Sequence, residues 1–305
     1  FVGENFTDNC STHPEPFFTG PHPIVWKSIL IVTYTVVFFG GACGVIKMSV
    51  FLMKMNTLSV TTTAIVNLVV NHSLFLVTVP FRLYFYATET WIFGSTFCKI
   101  VSGMIYFHMY LTFLFYVIIL IIRCLVFFQW KDKVEFYRNL HAVAMSIAIW
   151  ILAFITQVTV ILCWYGKLGD YKDNGTCFKF QEELKHEPVK AVNYTLIVLI
   201  MITTCTLLGL QVFIISKVMK KLSGSIWSHQ EFRAQLKSLF FILIIIFCFL
   251  PHHCFRLYYI KNMTNLQEYN EFSLSITTIS CLDLFSFAVT GSKAFRQTIC
   301  SLPCC

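Results

Sequence analysis

The chain has 305 residues, of which 57% are hydrophobic and only 12% are charged, and its formal net charge is +8. A water-soluble domain carries about 25% charged residues, so the composition excludes an ordinary soluble protein and indicates a membrane protein surrounded by lipids. The positive charge does not indicate a nucleic-acid partner, because neither a basic face nor a nucleic-acid-binding motif accompanies it.

The first segment, residues 1–23, is polar and rich in proline, and it contains glycosylation sequons at Asn5 and Asn9. Sequons of this kind are used on exposed segments of secreted chains. We therefore predict a glycosylated, extracellular N-terminal tail.

Seven apolar stretches follow, and a helix that crosses a bilayer takes roughly 20 apolar residues. The expected spans are about 24–53, 60–86, 95–128, 142–164, 189–219, 236–260 and 272–290. The sequence therefore predicts an all-α membrane protein, with a seven-transmembrane-helix bundle over residues 24–290. Residues 291–305 contain an amphipathic stretch, 292–301, which predicts a short cytoplasmic eighth helix and tail.

Basic residues favour one side of these spans, at Lys54, Arg123, Lys131, Lys133, Arg138, Lys217, Lys220, Lys221, Arg233, Lys237, Lys293 and Arg296. The same side carries few acids, namely Asp132, Glu135 and Glu231. Short cytoplasmic loops are enriched in Lys and Arg. We therefore expect an extracellular N-terminus and a cytoplasmic C-terminus in the plasma membrane. The longest outer loop, 165–188, then carries Cys177 and a third sequon at Asn174.

No enzyme is predicted, because the accessible segments contain no paired carboxylates, no nucleophile with a base and no phosphate-binding loop. We expect no cofactor and no metal site, since the cysteines show no metal-ligand spacing. Those in apolar runs, such as Cys281, are interpreted as small apolar side chains. A membrane transporter or channel stays an alternative. It would need several buried charges along a pathway, and His72, Asp283 and Lys47 are the candidates.

Short motifs and single marker residues follow one another along the spans in a characteristic order. They are Asn67-Leu68, Pro80-Phe81-Arg82, Trp91-x-Phe93-Gly94, Cys98, Arg123, Trp150, Cys248-Phe249-Leu250-Pro251 and Ser280-Cys281-Leu282-Asp283. In this order and spacing the sequence resembles the rhodopsin-like (class A) G-protein-coupled receptors. Two of these motifs are similar to those of the purinergic branch, namely Pro80-Phe81-Arg82 and the sixth-span motif extended to Cys248-Phe249-Leu250-Pro251-His252-His253. The resemblance implies a receptor that transmits the signal of an extracellular ligand to a heterotrimeric G protein.

The resemblance also implies how the bundle is held and how it switches. A disulfide between Cys98 and Cys177 would hold the outer loop over the bundle mouth, as an oxidising compartment allows. Activation would shift the population from a closed to an open cytoplasmic cavity. The sixth helix would swing about Pro251, with Phe249 as the packing switch.

Arg123 is implied to face the cytoplasmic cavity that receives the G protein. The acid and the tyrosine that flank this arginine in the family are replaced by Ile122 and Cys124, and Phe287 stands where the seventh helix usually has a tyrosine. Arg123 could instead be a snorkelling interface residue. The altered motifs leave a second reading open, in which the protein signals constitutively or is a non-coupling modulator.

His72 and Asp283 form an interior polar pair in the prediction. His72 occupies the position where the family carries a sodium-binding aspartate. A charged group at mid-bilayer costs about 2.5–3.5 kcal/mol on insertion scales, so each needs a partner. We expect the two side chains to pair across the second and seventh helices, without sodium. Alternatively, a neutral His72 bonds to Thr112 or to water.

An outer ligand pocket is predicted from side chains that the resemblance turns inward: Arg82, Tyr106, Tyr110, Phe249, His253, Arg256, Tyr258 and Tyr269. Arginine forks suit carboxylate or phosphate groups, so the expected ligand is an anionic lipid or another acid. Alternatively, Arg82 and Arg256 snorkel to the outer interface or pair with acids of the outer segments, Glu89, Glu268 or Glu271.

Three cysteines follow the basic stretch 293–297 near the end of the chain: Cys300, Cys304 and Cys305. Juxtamembrane cysteines in this setting are candidates for palmitoylation. The alternative is that they are unmodified thiols.

Overall fold

The computed structural model describes residues 23–54, 59–128, 135–163, 177–178, 184–221, 230–262 and 266–284. Within these ranges every regular element is a helix. The α-helices are α1 (Pro23–Met53), α2 (Val60–Thr88), α3 (Ser95–Phe127), α4 (Glu135–Cys163), α5 (Glu187–Lys221), α6 (Gln230–Ile244), α7 (Leu250–Lys261) and α8 (Gln267–Thr277). A π-helical segment, Ile245–Phe249, joins α6 to α7, and a 3-10 segment, Thr278–Leu282, continues α8.

Six of the described helical stretches are long and apolar enough to cross a bilayer. They are formed by α1 to α5 and by the continuous α6–π–α7 stretch, and α8 begins the seventh span. The predicted all-helical seven-span bundle is confirmed. The fourth helix begins earlier than expected, at Glu135 rather than near residue 142.

Several predicted features lie outside the described residues. These are the predicted amphipathic helix and tail at 291–305, Phe287, the sequon residues Asn5, Asn9 and Asn174, and the tail cysteines Cys300, Cys304 and Cys305. They stay predictions.

Helix α3 is the centre of the bundle. It packs against α2, α4, α6, the π segment and the 3-10 segment. Its side chains Val101, Ile105, Met109 and Tyr116 are fully buried and recur at helical spacing. Helix α4 is different, because none of its most apolar stretch is buried within the protein. Its exposed apolar residues, such as Leu152 and Ile155, therefore face lipid, while Ile149, Trp150 and Ala153 pack against the core.

Small and polar residues bring neighbouring helices close. A methyl group added to Gly40 of α1 would lie 2.5 Å from Leu282 Cδ2, so this glycine allows α1 to approach the 3-10 segment closely. Asn67 of α2 is fixed against α4, because its Nδ2 donates to Ser146 Oγ at 2.7 Å and its Oδ1 accepts from Trp150 Nε1 at 3.0 Å. Two of the motif residues thus form one interhelical contact.

A disulfide joins the outer end of α3 to the outer loop. Cys98 and Cys177 are bonded, with their Cα atoms 5.8 Å apart, which confirms the predicted pairing. Both cysteines lie in an aromatic cluster with Trp91 and Phe178. The Trp91 Nε1–H donates to Gly94 O at 2.8 Å, and the positive φ of Gly94, 80°, favours glycine in that turn.

The π segment stands directly before Pro251. Proline lacks an N–H and its ring clashes with the carbonyl four residues earlier, which disturbs the preceding helical turn. The chain accommodates this with a wider turn, in which Leu250 N–H donates to Ile245 O, five residues earlier. The sixth span is therefore irregular at the place where the hinge is predicted.

The seventh span narrows into a 3-10 segment. Hydroxyls along it bond to backbone carbonyls three residues earlier, as in Thr277 to Leu274 O at 2.6 Å and Thr278 to Ser275 O at 2.6 Å. Such bonds compete with the regular helical ladder. They explain locally why α8 ends at Thr277 and the tighter winding begins.

Candidate functional site

Arg82 is the first of two arginines at the outer end of the bundle. It is 1% exposed, and its Nη2 donates to Val101 O at 2.8 Å and to Ser102 O at 3.3 Å. Its guanidinium carbon lies 4.5 Å from the centre of the Phe178 ring. The structure therefore places Arg82 inside the bundle, and it does not snorkel to the outer interface.

Arg256 of α7 is the second arginine, and it is also buried. Its Nη1 donates to Asn270 Oδ1 of α8 at 2.9 Å. Its guanidinium carbon lies 5.8 Å from the Tyr106 ring centre and 5.6 Å from that of Tyr259, distances at which cation–π attraction operates. Asn270 was not predicted as a partner of Arg256, because it lies on another helix.

One carboxylate lies near both arginines. Glu271 of α8 interacts electrostatically with Arg82 and Arg256, and its Oε2 accepts from Tyr86 OH at 3.0 Å. Glu89, Glu268 and Glu271 were expected from the sequence as possible partners of the arginines, and Glu271 interacts with both of them. Glu89 instead pairs with Lys27.

The other predicted pocket residues lie on α3, the π segment, α7 and α8. His253 is buried, with its ring centre 6.2 Å from that of Tyr110, and Tyr269 packs edge-on against Trp26 at 4.7 Å. Phe249 is fully buried deeper in the bundle, near Tyr116. The prediction for Tyr258 is wrong, because its side chain is 52% exposed on the outside of α7.

A second polar site lies in the middle of the bundle, around His72 and Asp283. His72 Nε2 lies 3.1 Å from Asp283 Oδ1, and both side chains are fully buried. The other carboxylate oxygen of Asp283, Oδ2, accepts a hydrogen bond of 2.6 Å from Tyr116 OH. The structure thus brings the two predicted residues together and adds a tyrosine from α3.

His108 of α3 also belongs to this site and was not predicted from the sequence. Its Nε2 lies 2.8 Å from His72 Nδ1 and 3.3 Å from Cys281 Sγ, and its ring stacks on Phe75 at 4.5 Å. The signal was available, because any ionisable residue inside a span is a functional candidate. Its partners could not be named, since they lie on two other spans.

Thr112 and Asn71 complete the polar cluster. Thr112 Oγ1 lies 3.4 Å from His108 Nε2 and accepts from Asn71 Nδ2 at 2.9 Å. In this structure the direct partners of His72 are therefore His108 and Asp283. Two nitrogens and a sulfur from His72, His108 and Cys281 converge here, and this donor set could hold a metal ion.

At the inner end of the bundle, Arg123 reaches the sixth span. Its Nη1 donates to Ser238 Oγ of α6 at 3.4 Å. Ser238 is fully buried, and no sequence motif pointed to it. One contact of Arg123 is thus with a neutral hydroxyl. The acid that flanks this arginine in the family is replaced by Ile122.

With these sites in place, the sequence can be compared with known proteins. Residues 41–288 match the family described as 7 transmembrane receptor (rhodopsin family). The chain is 48% identical to probable G-protein coupled receptor 141 of Homo sapiens, over 98% of this chain and 97% of that protein. It is 24% identical to the N-arachidonyl glycine receptor of Rattus norvegicus, over 93% and 86% of the two chains. The identity to probable G-protein coupled receptor 34 of Pan troglodytes is also 24%, over 90% and 76%.

The family match covers most of the chain, and it agrees with the helical bundle and the disulfide between α3 and the outer loop. The family consists of receptors, which argues against the enzyme, transporter and channel classes. A multi-pass membrane location follows from the same match and from the apolar helices. The chain belongs to the rhodopsin family of seven-transmembrane receptors.

Proposed function

We propose that this receptor binds an anionic amphiphile, such as a lipid acid, in the outer part of its bundle. Binding would be relayed to a heterotrimeric G protein, the class of partner that the family implies. The observation that carries the proposal is the pair of buried arginines, Arg82 and Arg256, at the outer ends of α2 and α7.

Among the described residues, one acid, Glu271, interacts electrostatically with both arginines. Arg82 and Arg256 supply two positive charges, and Glu271 supplies one negative charge between them. An excess positive charge in a poorly solvated pocket attracts an anion more strongly than it would in water. Guanidinium groups present their donors in a fork that matches a carboxylate or a phosphate. The acidic headgroup of the ligand would therefore bind here.

The walls around the arginines are aromatic. Tyr106 and Tyr259 flank Arg256, and Phe178 and Tyr34 flank Arg82. Pockets for small molecules combine apolar walls with a few well-placed polar groups. This combination suits an apolar body with one charged end. A polyphosphate is less suitable, because residues 266–290 contain neither Lys nor Arg.

The names of some relatives support this class of ligand. Receptors at 24% identity, from Rattus norvegicus and Mus musculus, are named for N-arachidonyl glycine. We take the chemical class of an acylated amino acid, rather than that compound, as the starting point for a ligand search.

The proposal is tested with a labelled anionic lipid and G-protein activation in membranes that contain the full chain. A hydrogen bond to a charged group contributes about 1.5–3 kcal/mol. Arg82→Ala and Arg256→Ala should therefore each weaken binding by about 10–100-fold, at about 1.4 kcal/mol per tenfold. Lys27→Ala is the matched control, because Lys27 is an outer cation that pairs with Glu89. Unchanged binding in both arginine variants would remove the anion pocket.

The remaining features of the proposal concern topology and modification. We infer a plasma-membrane receptor with residues 1–23 outside, the bundle at 24–290 and the tail at 291–305 inside. The positive-inside distribution of Lys and Arg supports this orientation. Glycosylation at Asn5, Asn9 and Asn174 and palmitoylation at Cys300, Cys304 and Cys305 follow from the same topology.

Ligand-independent signalling is the second candidate. The observation that favours it is the contact of Arg123 with a neutral serine, Ser238, at 3.4 Å. A neutral hydrogen bond contributes about 0.5–1.5 kcal/mol, less than a bond to a charged acceptor. The acid that neighbours this arginine in the family is replaced by Ile122, so the closed state would lack the restraint of that acid and basal activity would be higher.

A further inference from the structure

We propose that His72, His108 and Cys281 form a binding site for Zn²⁺ in the middle of the bundle. The three residues come from α2, α3 and the 3-10 segment of the seventh span, and all are fully buried. Their donor atoms lie within 4.8 Å of one another. Spacing along the chain could not show this set, because its members belong to three separate spans.

Two of the three donor separations are close to those that a small metal ion needs. Zinc binds nitrogen at about 2.0–2.1 Å and thiolate sulfur at about 2.3 Å. A tetrahedral ion then needs about 3.4 Å between two nitrogens and about 3.6 Å between nitrogen and sulfur. The observed separations are 2.8 Å from His72 Nδ1 to His108 Nε2 and 3.3 Å from His108 Nε2 to Cys281 Sγ. The third separation, between His72 and Cys281, is within 4.8 Å, so side-chain shifts of up to about 1 Å would bring all three donors to zinc-binding distances.

The surroundings of His72 are those of a zinc-binding histidine. Its Nε2 lies 3.1 Å from Asp283 Oδ1, so the ring donates Nε2–H to the carboxylate and presents a lone pair at Nδ1. A carboxylate behind a histidine fixes the tautomer and raises the basicity of the other nitrogen, as in many zinc sites. Tyr116 OH, bonded to Oδ2 at 2.6 Å, holds that carboxylate in turn.

Hydrogen bonding alone leaves this site overcrowded. His108 Nε2 is approached by His72 Nδ1 at 2.8 Å, Cys281 Sγ at 3.3 Å and Thr112 Oγ1 at 3.4 Å. One ring nitrogen carries either one proton or one lone pair, so it makes one strong hydrogen bond at a time. A metal ion accepts several donors simultaneously, and it would satisfy His72, His108 and Cys281 together.

Charge balance and donor type favour Zn²⁺. The Cys281 thiolate and the Asp283 carboxylate together balance the two positive charges of the ion, and an uncompensated charge in this buried position would be costly. On binding, the S–H bond of Cys281 breaks, a Zn–S bond forms, and the proton passes to water. No oxidation or reduction is involved. Two imidazoles and a thiolate select zinc over hard cations such as Na⁺, Mg²⁺ and Ca²⁺.

The site would have a structural consequence that is independent of the proposed ligand. It would tie α2 and α3 to the seventh span near the end of the 3-10 segment. Bound zinc would therefore stabilise the bundle whether or not an anionic amphiphile binds at the outer end.

The test measures metal in the full-length receptor, purified without chelators from zinc-supplemented cells. Mass spectrometry should find about one zinc ion per receptor, as expected for a single site of this type. Cys281→Ser removes the soft ligand and should lose most of the zinc. Cys248→Ser is the matched control, because Cys248 is a buried cysteine of the π segment outside the donor set. Asp283→Asn should weaken zinc binding by about 10–100-fold, the usual effect of losing a carboxylate behind a ligand histidine.

A second measurement keeps the test informative if Cys281→Ser does not fold. Receptor prepared with Co²⁺ in place of zinc should show a thiolate-to-cobalt charge-transfer band in the near ultraviolet, together with a raised melting temperature. A wild-type receptor without bound zinc and without that band would overturn the proposal. Equal zinc content in wild type and a folded Cys281→Ser variant would overturn it as well. Neither readout depends on G-protein activation, so failure here leaves the proposed function untouched.

Discussion

The side chain of Tyr116 links the centre of α3 to the seventh span through a single buried hydrogen bond. Its hydroxyl donates to Asp283 Oδ2 at 2.6 Å, and both residues are buried. A carboxylate away from water depends on each donor that it has, because the cost of an unsatisfied buried charge is larger than the net gain of one bond. The hydroxyl of Tyr116 is therefore expected to contribute to the stability of the receptor in addition to the packing of its ring.

Tyr116→Phe tests this at the residue scale. The substitution keeps the ring and removes only the hydroxyl, so it should destabilise the receptor by about 1.5–3 kcal/mol, the value of a hydrogen bond to a charged group. The melting temperature of the purified receptor measures the effect. Tyr258→Phe, on the half-exposed outer face of α7, serves as the control and should change little. Equal melting temperatures for all three proteins would contradict the prediction.

The polar residues of the cluster also show how far single residues could be predicted. His72 and Asp283 were expected to pair because an isolated charge in a span is costly, and the structure places them 3.1 Å apart. Cys281 was interpreted as a small apolar side chain, and His108 was not singled out, although an ionisable residue inside a span is a functional candidate. Their rotation about the helix axis decides whether they face the cluster, and that depends on packing.

Among the elements, the outer loop depends most on one covalent bond. The disulfide brings Phe178 against Arg82, with 4.5 Å between guanidinium and ring centre. It therefore positions a wall of the proposed pocket as well as fixing the loop to α3.

Removing the disulfide should cost about 2–4 kcal/mol, the usual value for a bond that closes a long loop. Cys98→Ser, Cys177→Ser and the double variant should show the same fall in melting temperature, because each loses the same bond. Cys43→Ser, at an exposed free cysteine of α1, is the comparison. A double variant much less stable than either single variant would show that the cysteines contribute separately.

The sixth and seventh spans each depart from regular helix at a different level. The π segment precedes Pro251, and the 3-10 segment leads to Asp283. The first could be expected, because proline disturbs the preceding turn. The second could not, since the sequence Thr277-Thr278-Ile279-Ser280 is compatible with a regular helix and only the local hydroxyl bonds select the tighter winding.

At the scale of the whole molecule, the contact between Arg123 and Ser238 joins the inner ends of the third and sixth spans. Opening a cytoplasmic cavity by an outward swing of the sixth span would break it. The bond is long, at 3.4 Å, so we assign it the lower end of the usual range, about 0.5 kcal/mol.

Ser238→Ala should therefore raise basal G-protein activation about twofold, because the closed state loses that stabilisation while the open state does not. Nucleotide exchange measured without ligand is the assay, with receptor amounts matched at the cell surface. Arg123→Ala should abolish the activity if this arginine receives the G protein. Unchanged basal exchange in Ser238→Ala would mean that the contact does not hold the closed state.

The sequence by itself determined the class of molecule. Hydrophobicity acts within each stretch of about 20 residues, so the composition and the apolar runs were sufficient to predict seven membrane helices. The motif order was sufficient for the receptor family and for the pairing of Cys98 with Cys177. The membrane helices follow from local composition, and the family and the disulfide follow from motifs shared by the whole family. Neither depends on how the helices rotate against one another.

Only the tertiary structure decided which side chains meet between the helices. His72, His108, Cys281 and Asp283 lie on three spans, and their convergence depends on the register and rotation of each helix. Many side chains along α3 set that rotation together through close packing, and no single motif encodes it. For this reason the sequence predicted the bundle, while the interior cluster and the Arg123 contact became visible only in three dimensions.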